Sequence, residues 1–312
     1  MTDKFGATRV SVHRYQHRVM ATVFEVVIAG EDPKFAEGAA VAAFEEIGRL
    51  EQELSRYLPN SDISRINNLP ADGKASVGFD AFECLRLSKR YWEQTGGAFD
   101  ITLGALIDCW VGKDKSLLNP SLEDIDHART RCGLELLELD GATKTVRVKN
   151  RTPFIDLGAI GKGYAVDRAV ELLKEWGVNS ALVHGGSSSA FAYGNYPDGG
   201  GWPVTISNPE DPSKIVEKIN LNNQSLGGSG IKKGMHIIDP RTAKPAKGRR
   251  AAWVCSNSAT KGDAVSTACM IMTHEEIQNY VNKQTDLWAM IVDAGAEGMP
   301  DAVFRFGRPW AV

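Results

Sequence analysis

Alternation of apolar and polar positions predicts strands in both halves of this chain. The segment "TVFEVVIAG" (22–30) alternates with a period of two, which is typical of a strand with one buried face. Glycine, proline and asparagine bound most of the other apolar runs, as they do at strand ends. The other predicted strands are at 151–158, 180–186, 202–209, 215–223, 235–240, 287–295 and 302–307.

Helical spacing of apolar positions predicts a long helix directly after the first strand. It begins at an Asp-Pro pair, Asp32-Pro33, which suits a helix cap and first turn. Thr273 and Glu276 form a T-x-x-E capping box that predicts the start of a late helix. The other predicted helices are at 80–96, 122–133, Tyr164–Trp176 and Asp263–Met272.

The order of these elements predicts one domain over residues 1–312. The strand at 151–158, the helix after it and the strand at 180–186 form a βαβ-like unit. We find no internal repeat, low-complexity segment or separating linker. The expected organisation is two closely packed lobes, at about 18–150 and 151–312.

The composition predicts a globular protein that does not bind nucleic acid and does not span a membrane. A chain of 312 residues with 43% apolar residues can bury a large core. Its net charge of -3 provides no general attraction for nucleic acid. Five scattered cysteines without a CxxC pair indicate reduced thiols. The polar N-terminus has no signal-peptide core and no later run is long enough for a membrane span, so we expect a cytoplasmic protein unless a leader was removed.

The stretch "IDLGAIGKGYAVD" (155–167) places three glycines and a lysine before a helix. Such a turn suits an anion, because the unpaired amides and the dipole of the helix point at it. The glycine spacing fits neither a Walker loop nor a dinucleotide fingerprint. The alternative is a tight turn in which the glycines only permit positive φ angles.

Two further clusters contain candidate chemistry. Asp263 and Thr267 are four residues apart, so on a helix they share a face and could offer oxygen ligands to magnesium. His236 lies on a predicted strand before the Asp239-Pro240 turn, where it could act as a base. Each cluster taken alone also fits a purely structural role.

Taken together, these motifs resemble the ApbE family of FAD:protein FMN transferases from about residue 18 to the end of the chain. The matching segments, in order, are Met20-Ala21-Thr22, "GGAFDITLGAL", "DLGAIGKGYAVD", "VHGGSSS", "GSG", "HIIDPRTAKP" and "DAVST". The resemblance implies an α+β fold with mixed, largely antiparallel sheets flanked by helices. It also implies an FAD cleft between the two lobes.

The resemblance further implies a reaction and a set of residues. FMN moves from FAD to a threonine or serine hydroxyl of an acceptor flavoprotein, with Mg2+ present and AMP released. His236 would be the general base. The implied metal ligands are Asp263, Thr267 and the carbonyl of Ala159, and the implied FAD contacts are Met20, Tyr57, Trp110, Asp156, Lys162 and His236. For Tyr57 and Trp110, ordinary core packing is the alternative.

Several departures from the family pattern leave alternatives open. Ser187 and His184 replace a usual aspartate and asparagine, Ser266 replaces an acid of some relatives, and Ala243 replaces a glycine. The segment before His236 is short. The alternatives are an FAD pyrophosphatase that gives FMN and AMP, or a non-catalytic FAD-binding protein. We also expect a basic loop to contact the acceptor through Arg241, Lys244, Lys247, Arg249 and Arg250, and the alternative is a loop that is only solvated.

Overall fold

One long antiparallel sheet organises the fold, with helices on one face and a two-stranded ribbon on the other. We describe residues 10–197, 199–296 and 299–307 of a computed structural model. Within these ranges the helices are α1 (Pro33–Leu54), α2 (Asp62–Asn67), α3 (Phe79–Gln94), α4 (Gly104–Trp110), α5 (Leu122–Arg129), α6 (Gly161–Glu175), α7 (Ala259–Cys269) and α8 (His274–Asn282). The strands are β1 (Val12–Val19), β2 (Thr22–Ala29), β3 (Lys74–Ser76), β4 (Leu137–Asp140), β5 (Thr145–Val148), β6 (Ala181–Gly185), β7 (Ser189–Tyr193), β8 (Trp202–Ser207), β9 (Ile215–Leu221), β10 (Gln224–Gly230), β11 (Ile238–Asp239), β12 (Lys244–Pro245), β13 (Arg249–Ser256), β14 (Trp288–Asp293) and β15 (Ala302–Phe306).

The main sheet has eight strands in the order β1-β2-β6-β7-β10-β13-β14-β15. Every neighbouring pair in it is antiparallel. Strand β2 pairs with β6 from Phe24 opposite Gly185 to Ile28 opposite Ala181, so the sheet joins strands from both sides of residue 150. The predicted α+β, largely antiparallel fold is confirmed.

Apolar packing covers both faces of the main sheet. Helices α6 and α7 lie on one face, and α1 packs against α6. The fully buried residues of α1 include Ala36 and Ala40. On the opposite face the β8–β9 ribbon buries Trp202 and Ile219 against the sheet. A third, smaller cluster joins α4 and α5 to the β11–β12 hairpin. This last cluster supports the segment that contains His236.

The predicted strand at 151–158 is wrong. Phe154 forms only a single parallel bridge, with Leu103. The Asn67 side chain bonds both backbone groups of Ile155, donating to its carbonyl at 3.0 Å and accepting from its amide at 2.7 Å. Because a side chain satisfies this backbone, the buried segment needs no strand partner. The βαβ-like unit is therefore also wrong.

Several element boundaries differ from the predictions. Helix α7 begins at Ala259, four residues early, because Ser258 caps it by accepting from the Lys261 amide. Helix α6 begins at Gly161, and the predicted strand at 235–240 shortens to β11. The strands that were not predicted are β1, β3, β4, β5, β7, β10, β12 and β13. Strand β10 reads "QSLGGSG", in which glycines conceal the usual strand composition.

Two expectations from composition can be compared with the structure. All five cysteines lie in the described ranges and have free thiols, and burial raises the pKa of Cys269 to about 12. Such a thiol is unreactive at neutral pH. Among the described helices, none combines the length and the apolar character that crossing a bilayer requires.

Candidate active site

A cavity of about 860 Å3 opens between segments from both halves of the chain. This volume lies in the range of sites that hold cofactor-sized molecules. The structure brings most of the predicted site residues to its walls. Those lining the cavity are Tyr57, Asp156, Ala159, Lys162, His236, Asp263 and Thr267.

Met20 and Trp110 are not among the described residues that line this cavity. Met20 lies in the β1–β2 turn with a φ of 50° and packs against the main core. Trp110 belongs to the small cluster around α4, and its indole Nε1 donates to the carbonyl of Ala243 at 2.8 Å. The geometry therefore gives both residues structural contacts, and their implied contacts with FAD stay a prediction.

The glycine turn before α6 is not built on positive φ angles. Gly158, Gly161 and Gly163 are all absent from the described glycines with positive φ. The Gly158 amide donates to Asp156 at 2.6 Å, and its carbonyl accepts from Lys162 Nζ at 2.6 Å. A Cβ on Gly163 would lie 2.3 Å from the carbonyl oxygen of Ala259. Gly163 is thus required because α6 and α7 touch there.

The Gly163→Ala variant is expected to lose about 3 kcal/mol of unfolding free energy, because the new methyl group meets backbone that cannot move away. The matched control is Gly48→Ala, since Gly48 lies inside α1 and a methyl group added there would have no described atom within 4 Å. That control should gain about 0.5–1 kcal/mol from helix propensity. Chemical denaturation measures both changes, and equal effects would contradict the packing argument.

Asp263 places a buried carboxylate beside a lysine in the cavity. The residue is 2% exposed, and its Oδ2 accepts from the Gly163 amide at 3.0 Å. The ammonium of Lys162 lies 3.7 Å from the same oxygen. The ammonium of Lys162 and the positive end of the α6 dipole together form a positive region suited to phosphate. The Asp263 carboxylate adds an anionic ligand for a cation next to it.

A group of hydroxyls lies next to the backbone carbonyl of Asp263. Ser229 of β10 lies 2.9 Å from the hydroxyls of both Thr267 and Ser266. Thr267 and Ser266 in turn donate to the carbonyl of Asp263 at 3.2 and 3.0 Å. Ser229 belongs to the "GSG" segment, and the sequence pattern alone did not identify it as a contact of Thr267. A hydroxyl network therefore holds the end of α7 against β10.

The donor set fits magnesium better than a transition metal. No group of three or more His, Cys, Asp or Glu side chains occurs within the described ranges that could hold a metal ion. Mg2+ needs only one or two carboxylates, with water and substrate phosphates completing its shell. Asp263, Thr267 and Ala159 line one cavity and offer a carboxylate, a hydroxyl and a carbonyl. The residues present fit a magnesium ion shared with a phosphate.

Arg56 organises the cavity wall around Asp156, and sequence reasoning missed it. Its Nε lies 2.6 Å from Asp156, and its other nitrogens donate to Asp108 at 2.7 and 3.0 Å and to the Tyr57 hydroxyl at 3.0 Å. Burial alone would lower the pKa of Arg56, but the bond to Asp108 and the charge of Asp156 raise it. Only its position next to Tyr57 in "LSRYLPN" could have drawn attention to Arg56.

His236 lines the cavity with a defined ring orientation. Its Nδ1 lies 2.9 Å from the carbonyl oxygen of Gly234. Since a carbonyl can only accept, Nδ1 carries the proton of the neutral imidazole and Nε2 is the basic nitrogen. A base oriented by a backbone carbonyl is the arrangement that activation of a hydroxyl requires.

A second set of polar groups lies along the cavity wall. His184 Nε2 is 2.9 Å from Glu25, which is 5% exposed, and Ser187 also lines the cavity. Burial raises the pKa of Glu25, but hydrogen bonds from Gln16 and His184 outweigh it and lower the pKa overall. The buried hydroxyl of Ser189 has no hydrogen-bond partner among the described residues. An unsatisfied hydroxyl on a cavity wall suits a polar ligand.

Asp100 is a further carboxylate on the wall, from the "GGAFDITLG" segment. It accepts from the amide and hydroxyl of Thr102 at 2.7 and 2.6 Å. Burial raises the pKa of Asp100 and outweighs the two bonds from Thr102, which lower it, so that the pKa is about 6. A carboxylate with such a pKa often marks a functional site.

The expected basic loop is only partly a loop. Arg249 lies in β13, is 8% exposed, and bonds Asp293 at 2.7 Å and the Met272 carbonyl at 2.8 Å. It also bonds the carbonyl of Cys269, the last residue of α7. Arg249 therefore closes the C-terminus of α7. Its assignment to the acceptor surface is wrong, because its charge is buried.

The Arg249→Ala variant is expected to lower the unfolding free energy by about 3–5 kcal/mol, since it leaves two buried carbonyls without a donor and Asp293 with His274 as its remaining partner. The neighbouring Arg250 is the matched control. Its side chain is 34% exposed and pairs with Glu210 and Asp301 only at 3.7 and 3.6 Å. Arg250→Ala should cost less than about 1 kcal/mol. Thermal melts that show the same small change for both variants would contradict this description.

The fold and the cavity define a class of protein: an α+β chain with a cleft in which a lysine and a buried carboxylate meet at a helix N-terminus. Residues 20–291 match the model of the ApbE family. The chain therefore belongs to the ApbE family, and the family predicted from the motifs is confirmed.

Known proteins similar to this chain are named as flavin transferases. The FAD:protein FMN transferase of Klebsiella pneumoniae (strain 342) is 28% identical over 293 residues, covering 89% of this chain and 83% of that protein. The one of Escherichia coli (strain K12) is 26% identical over 307 residues, covering 94% and 87%. These names agree with the prediction of a transferase.

Solved structures agree with the fold. The Pseudomonas stutzeri flavinyl transferase ApbE in its apo form superposes with a TM-score of 0.83 at 26% identity, covering 97% of this chain and 96% of that one. The apbe protein of Thermotoga maritima gives a TM-score of 0.84 at 26% identity, covering 95% and 97%. The cavity therefore lies in a fold shared with flavin transferases.

Proposed function

We propose that this protein transfers FMN from FAD to a threonine or serine hydroxyl of an acceptor flavoprotein and releases AMP, with Mg2+ required. The observation that carries the proposal is that Lys162, Asp263 and His236 line one cavity in a chain of this family. Cleaving a pyrophosphate requires charge neutralisation and an activated nucleophile, and these three residues offer both.

The phosphates of FAD would bind at the start of α6. There the ammonium of Lys162 lines the cavity at the positive end of the α6 dipole. Lys162 lies between the Gly158 carbonyl and Asp263, so its position is fixed before a ligand arrives. Asp263, Thr267 and the Ala159 carbonyl would hold Mg2+, which when bound neutralises charge on the pyrophosphate.

The flavin would lie toward Tyr57. This side chain is 76% exposed although it lines the cavity, and its hydroxyl accepts from Arg56. An exposed, anchored ring offers a flat surface on which isoalloxazine can stack. Asp156, held by Arg56, offers carboxylate oxygen to flavin or ribityl donors.

His236 would take the proton of the acceptor hydroxyl on Nε2. The hydroxyl oxygen then bonds to the FMN phosphorus, and the bond from that phosphorus to the bridging oxygen breaks. AMP leaves with the bridging oxygen. The positive charge on the imidazole is delocalised while Nδ1 donates to the Gly234 carbonyl. The proton moves on to solvent or product, so atoms and charge balance.

Product analysis tests the proposal. The protein is incubated with FAD, Mg2+ and a candidate acceptor flavoprotein, and the acceptor is digested and weighed by mass spectrometry. Covalent FMN on one threonine or serine, absent when that residue is changed to alanine, supports transfer. Free FMN with AMP and no adduct indicates the pyrophosphatase, and intact bound FAD indicates a binding protein.

A further inference from the structure

The first turn of helix α7 is held by a side chain from another helix. Asp167 lies on α6 and makes four hydrogen bonds to the start of α7. Its carboxylate accepts from the Ser258 hydroxyl at 2.7 Å, the Ala259 amide at 2.7 Å, the Thr260 amide at 2.9 Å and the Thr260 hydroxyl at 2.6 Å. Neither the mechanism above nor the sequence motifs assign Asp167 a role.

Each backbone amide in the first turn of α7 has a hydrogen-bond partner. The first amides of a helix have no partner within it. Asp167 takes those of Ala259 and Thr260, and the Ser258 hydroxyl takes that of Lys261 at 3.2 Å. The Gly262 amide donates to the Ser258 carbonyl at 3.0 Å. The first turn of α7 contains no acidic residue, so Asp167 supplies the negative charge that a helix N-terminus favours.

Helix α6 therefore holds α7 at two points. Gly163 and Asp167 are four residues apart and share one face of α6. The Gly163 amide bonds the Asp263 carboxylate, and Asp167 bonds the turn of α7 just before it. A movement of α7 along its axis would break both contacts. The position of Asp263 in the cavity therefore depends on both of these contacts.

We propose that Asp167 is a positioning residue that sets where Asp263 and Thr267 stand relative to Lys162, and thereby determines the metal affinity of the site. The identity of the metal rests on the proposed function. Residues that orient metal ligands without touching the ion change its affinity by about 10–100-fold when replaced. Because Asp167 contacts α7 through four bonds, its removal should shift both of the α7 ligands together.

The test measures Mn2+ binding to the full chain with FAD present. The loss of the EPR signal of free Mn2+ reports how much of the ion is bound. Asp167→Asn keeps the shape but turns an amide NH2 toward donors. It should raise the Mn2+ dissociation constant about 10–100-fold. The Mg2+ concentration for half-maximal AMP release should rise by a similar factor. Unchanged Mn2+ affinity in a folded Asp167→Asn protein overturns the proposal.

Two further variants separate positioning from general stability. Asp32 caps α1 by accepting from the Lys34 and Phe35 amides at 3.1 Å, remote in sequence from α7. Asp32→Asn should leave Mn2+ affinity unchanged even where it lowers the melting temperature, and an equal loss of Mn2+ affinity there overturns the proposal.

Thr260→Val removes one of the four bonds without changing the charge of Asp167. It should weaken Mn2+ binding less than Asp167→Asn does. If Asp167→Asn does not fold, Thr260→Val decides, and unchanged Mn2+ affinity in it overturns the proposal. If wild-type protein binds Mn2+ but forms no FMN adduct, the proposed function fails while the role of Asp167 is still measured.

Discussion

Replacing Asp263 with alanine is expected to lower Mg2+-dependent release of AMP from FAD by at least about 100-fold. Asp263 contributes the one carboxylate of the proposed ligand set, and it is 2% exposed beside the Lys162 ammonium. Without it, a hard cation keeps only neutral oxygen ligands from the protein. Chromatographic measurement of AMP across a Mg2+ titration gives the change in rate and in half-saturation.

Asp263→Asn separates charge from shape in this experiment. The amide keeps an acceptor for the Gly163 amide, which now bonds the carboxylate at 3.0 Å, but it removes the negative charge. Asp263→Asn should therefore show most of the loss of AMP release seen in Asp263→Ala. Its melting temperature should be closer to that of the wild type than the melting temperature of Asp263→Ala is. Wild-type activity of either variant at limiting Mg2+ would show that the metal lies elsewhere.

His236→Ala should lower the rate of FMN transfer by about 10² to 10⁴-fold, the usual share of general base catalysis. Binding of Mn2+ and FAD should be retained, because the proposed task of His236 concerns only the acceptor hydroxyl. Its side chain is exposed, and Nδ1 bonds the Gly234 carbonyl of its own segment, so we expect the fold to survive the change. Quenching of flavin fluorescence measures FAD affinity, and mass spectrometry of the acceptor measures transfer.

The pH dependence provides an independent check on His236. In the wild type the transfer rate should rise with pH as the imidazole loses its proton, since only the neutral form can accept one. That rising limb should disappear in His236→Ala. If the variant unfolds, the histidine is structural, and if it no longer binds FAD, the histidine contacts FAD. In either case Asp239 becomes the next candidate for the base.

Local signals explain which parts of the fold could be predicted. The capping box of Thr273 and Glu276 is present at the start of α8, and Asp32 caps α1 as its position before Pro33 indicates. Both depend on residues within four positions of each other. The order of the motifs likewise identified most of the residues that line the cavity, although the motifs do not show the contacts between these residues.

Long-range contacts explain the rest. The buried segment around Ile155 has strand composition, but Asn67, 88 residues away, satisfies its backbone. Strand β10 is rich in glycine because a Cβ on Gly227 would lie 2.1 Å from the carbonyl carbon of Gly262 in α7. Arg249 looks like a surface charge until Asp293 and the end of α7 surround it. No local pattern contains these partners.

The pairing of β2 with β6 has a consequence for synthesis on the ribosome. Strand β1 can cover one edge of β2 at once, but the opposite edge pairs with residues that emerge about 160 positions later. Until then the nascent chain presents an apolar strand edge that other chains can extend. We therefore expect a chain that ends near residue 150 to leave that edge of β2 exposed.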